Sequence, residues 1–165
     1  MATFDLFLAD HIARNGNKGR RHASYLSSTI FDEFVEVLTA QVRSVIIEEV
    51  KEAKYYSMSV DSTPDITHTD QLTFILRYIN KAGLPVERFI AFIPIEAHDT
   101  ESLTSEILTA LDKFGMELRN CCGQSYDNAS NMAGCLSGVQ ARIKEMNPKA
   151  SFVPCSAHSL NLVGV

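Results

Sequence analysis

The chain has 165 residues, of which 45% are hydrophobic and 21% charged, a globular composition that argues against disorder and suffices for one domain. Its net charge of −5 lacks the basic surplus of an autonomous nucleic-acid-binding domain, so any DNA affinity has to be local, metal-mediated or supplied by another module. The N-terminal segment carries acids where a secretory signal needs positive charge, and no apolar stretch approaches the roughly 20 residues that span a bilayer, so we expect a soluble intracellular protein.

Residues 12–29 are rich in Gly, Asn, Ser and basic side chains, which predicts a linker. We therefore expect residues 1–29 to be a linker or a partly ordered segment, and residues 30–165 to form the domain. The basic residues of this stretch are either solvated or a contact for phosphate or nuclear import, with solvation favoured. They are Arg14, Lys18, Arg20, Arg21 and His22.

Residues 30–53 place apolar side chains three or four positions apart, which is the spacing of one helical face. Thr29 can cap this helix, and Asp32 and Glu33 fall in the first turn, where acidic side chains are favourable. The domain is therefore predicted to open with a long amphipathic helix.

Three strands are predicted next: Tyr55–Asp61, Gln71–Ile79 and Arg88–Ile95. The middle strand alternates strictly between its two faces. Turn residues separate the strands at 62–65 and again at 81–85. Short connections of this kind predict an antiparallel meander.

From residue 100 onward, helices and strands alternate. A helix is predicted from Thr100 to Phe114, and Gly115 stops it. A further helix, predicted at 128–146, is weakened by Gly134 and Gly138. The remaining elements are predicted as a strand at 121–127, a helix at 128–146, a strand at 151–153 and a helix at 155–163. The order is thus a helix followed by β-β-β-α-β-α-β-α, an α/β fold with the element sequence of a ribonuclease-H-like core.

Asp61 and Asp127 each follow a short apolar run and precede a small or polar stretch, so both carboxylates are predicted to converge at one edge of the sheet. Magnesium prefers oxygen ligands and usually takes one or two protein carboxylates, which points toward phosphodiester chemistry. The alternative is that Asp61 is a turn residue and Asp127 an N-cap. Asp65 and Asp70 are interpreted as solvated loop residues or a cap, with an outer-shell role left open.

The cysteines are predicted to be reduced thiols that contribute packing, and they are Cys121, Cys122, Cys135 and Cys155. Cys155 and His158 could be half of a zinc site, but a tetrahedral structural site needs four ligands, so zinc is disfavoured. His158 is predicted either to contact DNA or orient an acid, or to be a partly buried histidine satisfied by backbone groups.

Three motifs resemble the hAT superfamily of DNA transposases, in particular its branch of domain-of-unknown-function proteins (DUF4371 type) related to MYM-type and TTF-type zinc finger proteins. The resemblance covers residues from about 15 to the end. The motifs are Ser-Val-Asp-Ser-Thr-Pro-Asp at 59–65, Gln-Ser-Tyr-Asp-Asn-Ala-Ser-Asn-Met at 124–132, and Pro-Cys-Ser-Ala-His-Ser-Leu-Asn-Leu at 154–162.

This resemblance implies a ribonuclease-H-like catalytic core whose acidic triad binds two Mg²⁺ or Mn²⁺ ions and cuts and joins DNA. Asp61 and Asp127 match the first two acids as catalytic metal ligands, and Cys155 and His158 match an accessory Cys-x-x-His element near the DNA. The third acid, a glutamate, follows a large helical insertion in that family, and this chain stops at Val165.

We therefore expect a nuclear protein whose fragment is inactive alone and holds metal weakly. Its implied partners are DNA at transposon ends and a second copy bound through a missing C-terminal region. The alternative function is a domesticated, non-catalytic scaffold for DNA or protein in the nucleus.

Overall fold

The computed structural model describes residues 6–16, 27–64 and 70–163. The chain divides into two compact units, Met1–Ser44 and Val45–Val165. This division lies within a helix and differs from the expected boundary at residues 29 and 30.

The first unit begins with helix α1, Leu6–Asn15. Arg14 Nε donates to Asp10 Oδ1 at 2.9 Å, an i,i+4 ion pair that supports the helix. The linker predicted for 12–29 is therefore wrong at its start, because residues 12–15 complete this helix. The residues from Leu6 to Arg14 include several strong helix formers, such as leucine, alanine and arginine, and these favour the helix until the asparagine and glycine at 15 and 16 end it.

Helix α2, Ser28–Ala53, starts in the first unit and ends in the second. Its predicted cap, Thr29, is wrong by two residues: Ser27 Oγ accepts from the Ile30 N–H at 3.2 Å. Since Ser28 and Thr29 are already helical, the predicted linker ends earlier than expected, and residues 17–26 with most of its basic cluster lie outside the described residues.

The second unit contains one mixed sheet of five strands in the order β3-β2-β1-β4-β5. β2 pairs antiparallel with both β1 and β3, as the predicted meander requires, whereas β4 pairs parallel with β1 and with β5. The strands are β1 Tyr56–Pro64, β2 Asp70–Ile79, β3 Pro85–Pro94, β4 Cys121–Ser125 and β5 Ser151–Phe152.

The strand predicted for 121–127 is wrong at its end, because β4 stops at Ser125, where its ladder to β1 stops. Two other strands extend three residues beyond their predicted limits, because the ladder to β2 continues further than turn composition suggests. β1 runs on from Asp61 to Pro64, which pairs with Asp70, and β3 begins at Pro85, which pairs with Ile79. A proline at either limit is tolerated since it ends the ladder.

Four helices accompany the sheet: α3 Thr100–Lys113, α4 Ser130–Ala133, α5 Val139–Met146 and α6 Ser156–Val163. Asp99 caps α3 by accepting from the N–H groups of Glu101 and Ser102 at 3.0 and 2.9 Å. Gly115 follows the C-cap residue of α3 and adopts the left-handed conformation, at φ +64°, that commonly ends a helix, as predicted. No helix among the described residues is both long and apolar enough to cross a membrane.

The single helix predicted for 128–146 is wrong, because α4 ends after one turn and α5 starts at Val139. Gly138 packs against Gly134 so closely that a Cβ on Gly138 would lie 2.5 Å from the Gly134 nitrogen. The two glycines therefore close a tight turn, in which the Gly138 N–H donates to the Gly134 carbonyl at 3.0 Å, and do not merely weaken a continuous helix.

The core of the second unit lies on one face of the sheet. The alternating residues Leu72, Phe74, Leu76 and Tyr78 of β2 are all buried, as are Met58 and Val60 of β1. They pack with Val50 of α2, Ile107 of α3 and Ile143 of α5 in one cluster. The opposite face of β1 carries Ser57, Ser59 and Asp61, with Thr73 of β2 beside Asp61.

Candidate functional site

The register between β1 and β4 determines where the two predicted metal ligands stand. Ser59 pairs with Ser125 in the parallel ladder, and Asp61 and Asp127 each follow two residues later. Neighbouring strands lie about 4.8 Å apart. Because β1 continues to Pro64 and β4 ends at Ser125, Asp61 lies inside its strand and Asp127 lies two residues beyond its own. The pairing therefore places the two aspartates on neighbouring segments of the chain.

The two carboxylates differ in their surroundings. Asp61 is exposed and still within β1, where Thr73 of β2 is its cross-strand neighbour. Asp127 is half-buried, and its Oδ1 accepts from the Ala129 N–H at 3.1 Å. Asp127 therefore shapes the turn before α4, but the N-cap role considered for it is wrong, because the N-cap of α4 is Ala129 and no side chain caps this helix.

The face that carries Asp61 has an open cavity of about 400 Å³. Strand alternation places Ser57, Ser59 and Ser125 on this face. At Gly123 a Cβ would come within 2.8 Å of Ser57 Oγ, so glycine leaves room for the serine hydroxyl at the cavity floor. The cavity is lined by serine hydroxyls, by the Arg77–Glu87 ion pair and by apolar side chains such as Val153, and neither aspartate lines it.

The predicted accessory pair lies at the start of α6, beside the second aspartate. The Cys155 N–H donates to the Tyr126 carbonyl at 2.9 Å, and Asn128 Nδ2 donates to Ser159 Oγ at 3.2 Å. These two bonds attach α6 to the turn that contains Asp127. Cys155 is half-buried and lines the cavity, whereas His158 is exposed, so the partly buried histidine considered for this position is wrong.

The environment predicted for Asp70, which pairs with the last residue of β1, is wrong. Asp70 is the first residue of β2 and its Oδ2 lies 2.8 Å from His98 Nε2, so it is neither a loop residue nor a cap. Asn131 Nδ2 donates to the His98 carbonyl at 2.8 Å and joins this pair to α4. No local pattern indicates a contact over 28 residues. Asp65 lies outside the described residues.

An aromatic pair on the same face also escaped the sequence analysis. The β2–β3 ladder shifts register at Phe74/Ile75, so that Phe89 pairs with Ile75 and Phe92 with Thr73. This bulge turns both phenylalanines, three residues apart, to the face that carries Asp61. Their ring centroids are 4.8 Å apart and the side chains are 49% and 55% exposed. Two strands separate Phe92 from Asp127.

Mg²⁺ and Mn²⁺ prefer oxygen ligands, and Mg²⁺ usually takes one or two carboxylates from a protein while keeping several waters. Within residues 6–16, 27–64 and 70–163, no group of three or more His, Cys, Asp and Glu side chains is arranged to hold a metal. An arrangement of two ions about 3.5–4 Å apart therefore needs ligands beyond these two aspartates.

All four cysteines are free thiols, as predicted. Cys121 is buried in β4, and burial raises its pKa to about 11. This thiol is protonated at neutral pH and serves the core, because a thiolate is required for nucleophilic or metal-binding chemistry.

Comparison with known proteins places this site in a family. Residues 11–138 match the DUF4371 family, described as the ZMYM1/FAM200 RNase-like domain. The chain is 28% identical over 139 residues to the human 52 kDa repressor of the inhibitor of the protein kinase, and 28% identical over 138 residues to the mouse protein. These alignments cover 84% and 83% of this chain but 18% of each relative. The chain belongs to the DUF4371 family of RNase-like domains, in agreement with the resemblance carried by its three motifs.

Proposed function

We propose that this chain is part of a transposase-derived catalytic domain in which Asp61 and Asp127 share one divalent cation. In the intact protein this site serves metal-dependent DNA cleavage and strand transfer, and the 165-residue chain alone is inactive. The ribonuclease-H-like topology, the use of Mg²⁺ or Mn²⁺, the DNA partner and a nuclear location all belong to this proposal.

One observation carries the proposal: Ser59 and Ser125 pair in the parallel β1–β4 ladder, and Asp61 and Asp127 each follow two residues later. If this register continues for two residues, the two carboxylates stand side by side, where one cation can bind oxygens from both. The sheet order, with three antiparallel strands on one side and two parallel strands on the other, supports the ribonuclease-H-like assignment.

A cation held there would supply Lewis acidity to a phosphodiester oxygen. The chain's own residues have separate roles in the proposal. Asp61 and Asp127 bind the cation, and the Asp127–Ala129 hydrogen bond fixes the second carboxylate. Cys155 and His158 are accessory groups at the DNA, and Phe89 and Phe92 stack on unpaired bases at the far side of the same face.

A non-catalytic scaffold is the second candidate. It is supported by the absence, in the described part of the chain, of a cluster of three potential metal ligands, and by the names of the human and mouse relatives, which are repressors. In this alternative the sheet face binds DNA or protein without a metal.

The test is fluorescence anisotropy of a labelled single-stranded oligonucleotide with the purified chain, in millimolar Mg²⁺ or in EDTA. We expect weak binding that requires Mg²⁺ and falls at least about fivefold in Asp61→Asn and in Asp127→Asn, since each removes one charged ligand. No cleavage is expected from the chain alone.

Asp112→Asn is the matched control, because Asp112 is an exposed aspartate of α3. Its binding should equal that of the natural chain. Binding that is equally strong in EDTA and in both site variants would support the scaffold and refute the shared cation.

A further inference from the structure

The segment between β3 and α3, residues 95–99, lies at the same end of the sheet as the two predicted metal ligands. β2 runs antiparallel to both β1 and β3, and β4 runs parallel to β1, so β3 ends where β1 and β4 end. Two contacts attach this segment to the first residue of β2. The Ile95 N–H donates to the Asp70 carbonyl at 3.0 Å, and His98 Nε2 lies 2.8 Å from Asp70 Oδ2.

The far end of this segment is fixed by helix α3. Asp99 Oδ1 accepts from the N–H groups of Glu101 and Ser102, and Asp99 Oδ2 accepts from Ser102 Oγ at 2.7 Å. Leu103 and Ile107 of α3 are buried in the core. Because α3 is anchored there, the residues at its start have little freedom to move and form a fixed support.

Helix α4 is connected to this support through one residue, Asn131. Its Nδ2 donates to the His98 carbonyl at 2.8 Å, and its carbonyl accepts from Thr100 Oγ1 at 3.2 Å. Met132 anchors α4 in the core, but α4 is a single turn of four residues with no side-chain cap, and so short a helix is unstable without contacts from outside. The orientation of α4 therefore depends on the bonds of Asn131.

The start of α4 holds one carboxylate of the candidate site. Ala129 is the N-cap of α4, and its carbonyl accepts from the N–H groups of Met132 and Ala133 at 3.0 and 2.7 Å. The N–H of the same residue donates to Asp127 Oδ1 at 3.1 Å. A change in the orientation of α4 would thus move the donor that orients the Asp127 carboxylate.

We propose that His98 and Asn131 are positioning residues for Asp127. Asp70 holds the His98 side chain, and the His98 carbonyl holds the Asn131 amide. Helix α4 passes this restraint to the Ala129 N–H and so to the Asp127 carboxylate. The inference rests on the proposed shared cation, because it assigns these residues to the orientation of one of its two ligands. Neither residue binds the ion itself.

The size of the effect follows from the number of bonds between these residues and the ligand. A group that bonds a metal ligand directly and orients it contributes roughly 10- to 100-fold to metal affinity. His98 and Asn131 act on Asp127 through a further hydrogen bond, so we expect a smaller contribution, about 3- to 10-fold.

The first measurement needs no metal. Hydrogen exchange of the Ala129 amide, followed by NMR, should be at least about threefold faster in Asn131→Ala than in the natural chain, because the amide loses its fixed position opposite the carboxylate. Asn80→Ala is the matched control and should leave this exchange unchanged. Asn80 Oδ1 accepts from the N–H groups of Ala82 and Leu84 at 2.9 and 3.0 Å in the turn before β3, at the opposite end of the sheet.

The second measurement is Mn²⁺ binding by electron paramagnetic resonance at neutral pH. Asn131→Ala and His98→Ala should each raise the dissociation constant about 3- to 10-fold, and Asn80→Ala should not change it. His98→Gln should stay within about twofold of the natural chain, because a glutamine amide can donate to Asp70 from the position of Nε2. Rescue by glutamine separates the positioning role from a general loss of folding.

The shared cation and the positioning role fail in different ways. If the natural chain binds no Mn²⁺, the shared cation is refuted, and the exchange of the Ala129 amide alone decides whether Asn131 positions Asp127. If the natural chain binds Mn²⁺, an unchanged dissociation constant in Asn131→Ala overturns the positioning role, as does binding in His98→Gln that is as weak as in His98→Ala. Unchanged Ala129 exchange in Asn131→Ala overturns it in either case.

Discussion

Tyr78 in β2 is buried, and its hydroxyl donates to a carboxylate oxygen of Glu49 in α2. Burial, reinforced by the charge and hydrogen bond of Glu49, raises the pKa of Tyr78 from 10.0 to about 12. Between these two values the unfolded chain releases the proton while the folded chain keeps it. This contribution to stability is therefore complete below pH 10 and is lost as the pH rises through 12.

We expect the free energy of unfolding to fall over this alkaline range, and to fall less steeply in Tyr78→Phe. The measurement is urea unfolding at a series of pH values from 8 to 12, with Tyr55→Phe as the control since Tyr55 is 54% exposed. An identical pH dependence in the natural chain and Tyr78→Phe would show that Glu49 does not hold the Tyr78 proton.

Asn147 joins α5 to the start of β4 through its side-chain amide. Nδ2 donates to the carbonyls of Leu118 and Cys121, both at 2.7 Å, and the residue is 5% exposed. Asn147→Ala leaves two carbonyls without this donor, so we expect a loss of about 2–3 kcal/mol in the free energy of unfolding. Urea unfolding measures it.

Asn128→Ala is the comparison for Asn147→Ala, because Asn128 is exposed and its amide contacts a hydroxyl at the surface. It should cost less than about 0.5 kcal/mol. Equal costs for the two variants would mean that the buried amide adds nothing specific. The sequence predicts only that Asn147 ends a helix, since its two acceptors are 29 and 26 residues away.

At the scale of elements, the tight turn between α4 and α5 depends on the absence of a side chain at Gly138. A Cβ there would lie 2.5 Å from the nitrogen and 2.6 Å from the oxygen of Gly134, and both are backbone atoms that cannot rotate away. Gly138→Ala should therefore destabilise the fold by about 1–3 kcal/mol, as overpacking does.

The neighbouring variant Ser137→Ala separates this effect from a general sensitivity of the loop, because Ser137 is exposed. Chemical denaturation of both variants is the measurement. If Gly138→Ala were as stable as Ser137→Ala, the tight turn between α4 and α5 would be contradicted. The continuous helix expected from composition would then be favoured.

The bulge in the β2–β3 ladder gives the second prediction at this scale. It presents Phe89 and Phe92 together on the face of Asp61, so that bases bound near the carboxylates can stack on them. The variant Phe89→Ala/Phe92→Ala should weaken Mg²⁺-dependent oligonucleotide binding by roughly 5- to 100-fold, since stacking contributes about 1–3 kcal/mol per base.

Leu84→Ala is the control for the aromatic pair, because Leu84 is 60% exposed and lies in the turn before β3. It should bind the oligonucleotide as the natural chain does. Unchanged binding by the double variant would place the bases elsewhere on the molecule.

Much of the second unit follows from periodicity. The alternation of Leu72, Phe74, Leu76 and Tyr78 predicts a strand with one buried face, and the structure confirms it. This feature is local, because it depends on a short run of residues.

Features that depend on distant contacts were not predictable in this way. The Asp70–His98 pair and the aromatic pair require knowledge of strand register, and the bulge itself has no local marker. The position of Cys155 beside Asp127 depends on one backbone bond to Tyr126. Sequence patterns determine which elements form, whereas register determines which side chains meet.

At the scale of the whole molecule, the central claim is that Asp61 and Asp127 share one divalent cation. Electron paramagnetic resonance of Mn²⁺ counts bound ions directly and needs no DNA. We expect one Mn²⁺ per chain with a dissociation constant on the order of 1 mM, because the protein supplies two carboxylates and water fills the other positions. Asp61→Asn and Asp127→Asn should each weaken this binding at least about tenfold, and Asp112→Asn should not change it. Absence of bound Mn²⁺ at several millimolar, or binding that survives either site substitution, would contradict the claim and leave Asp61 as a strand residue and Asp127 as a turn residue.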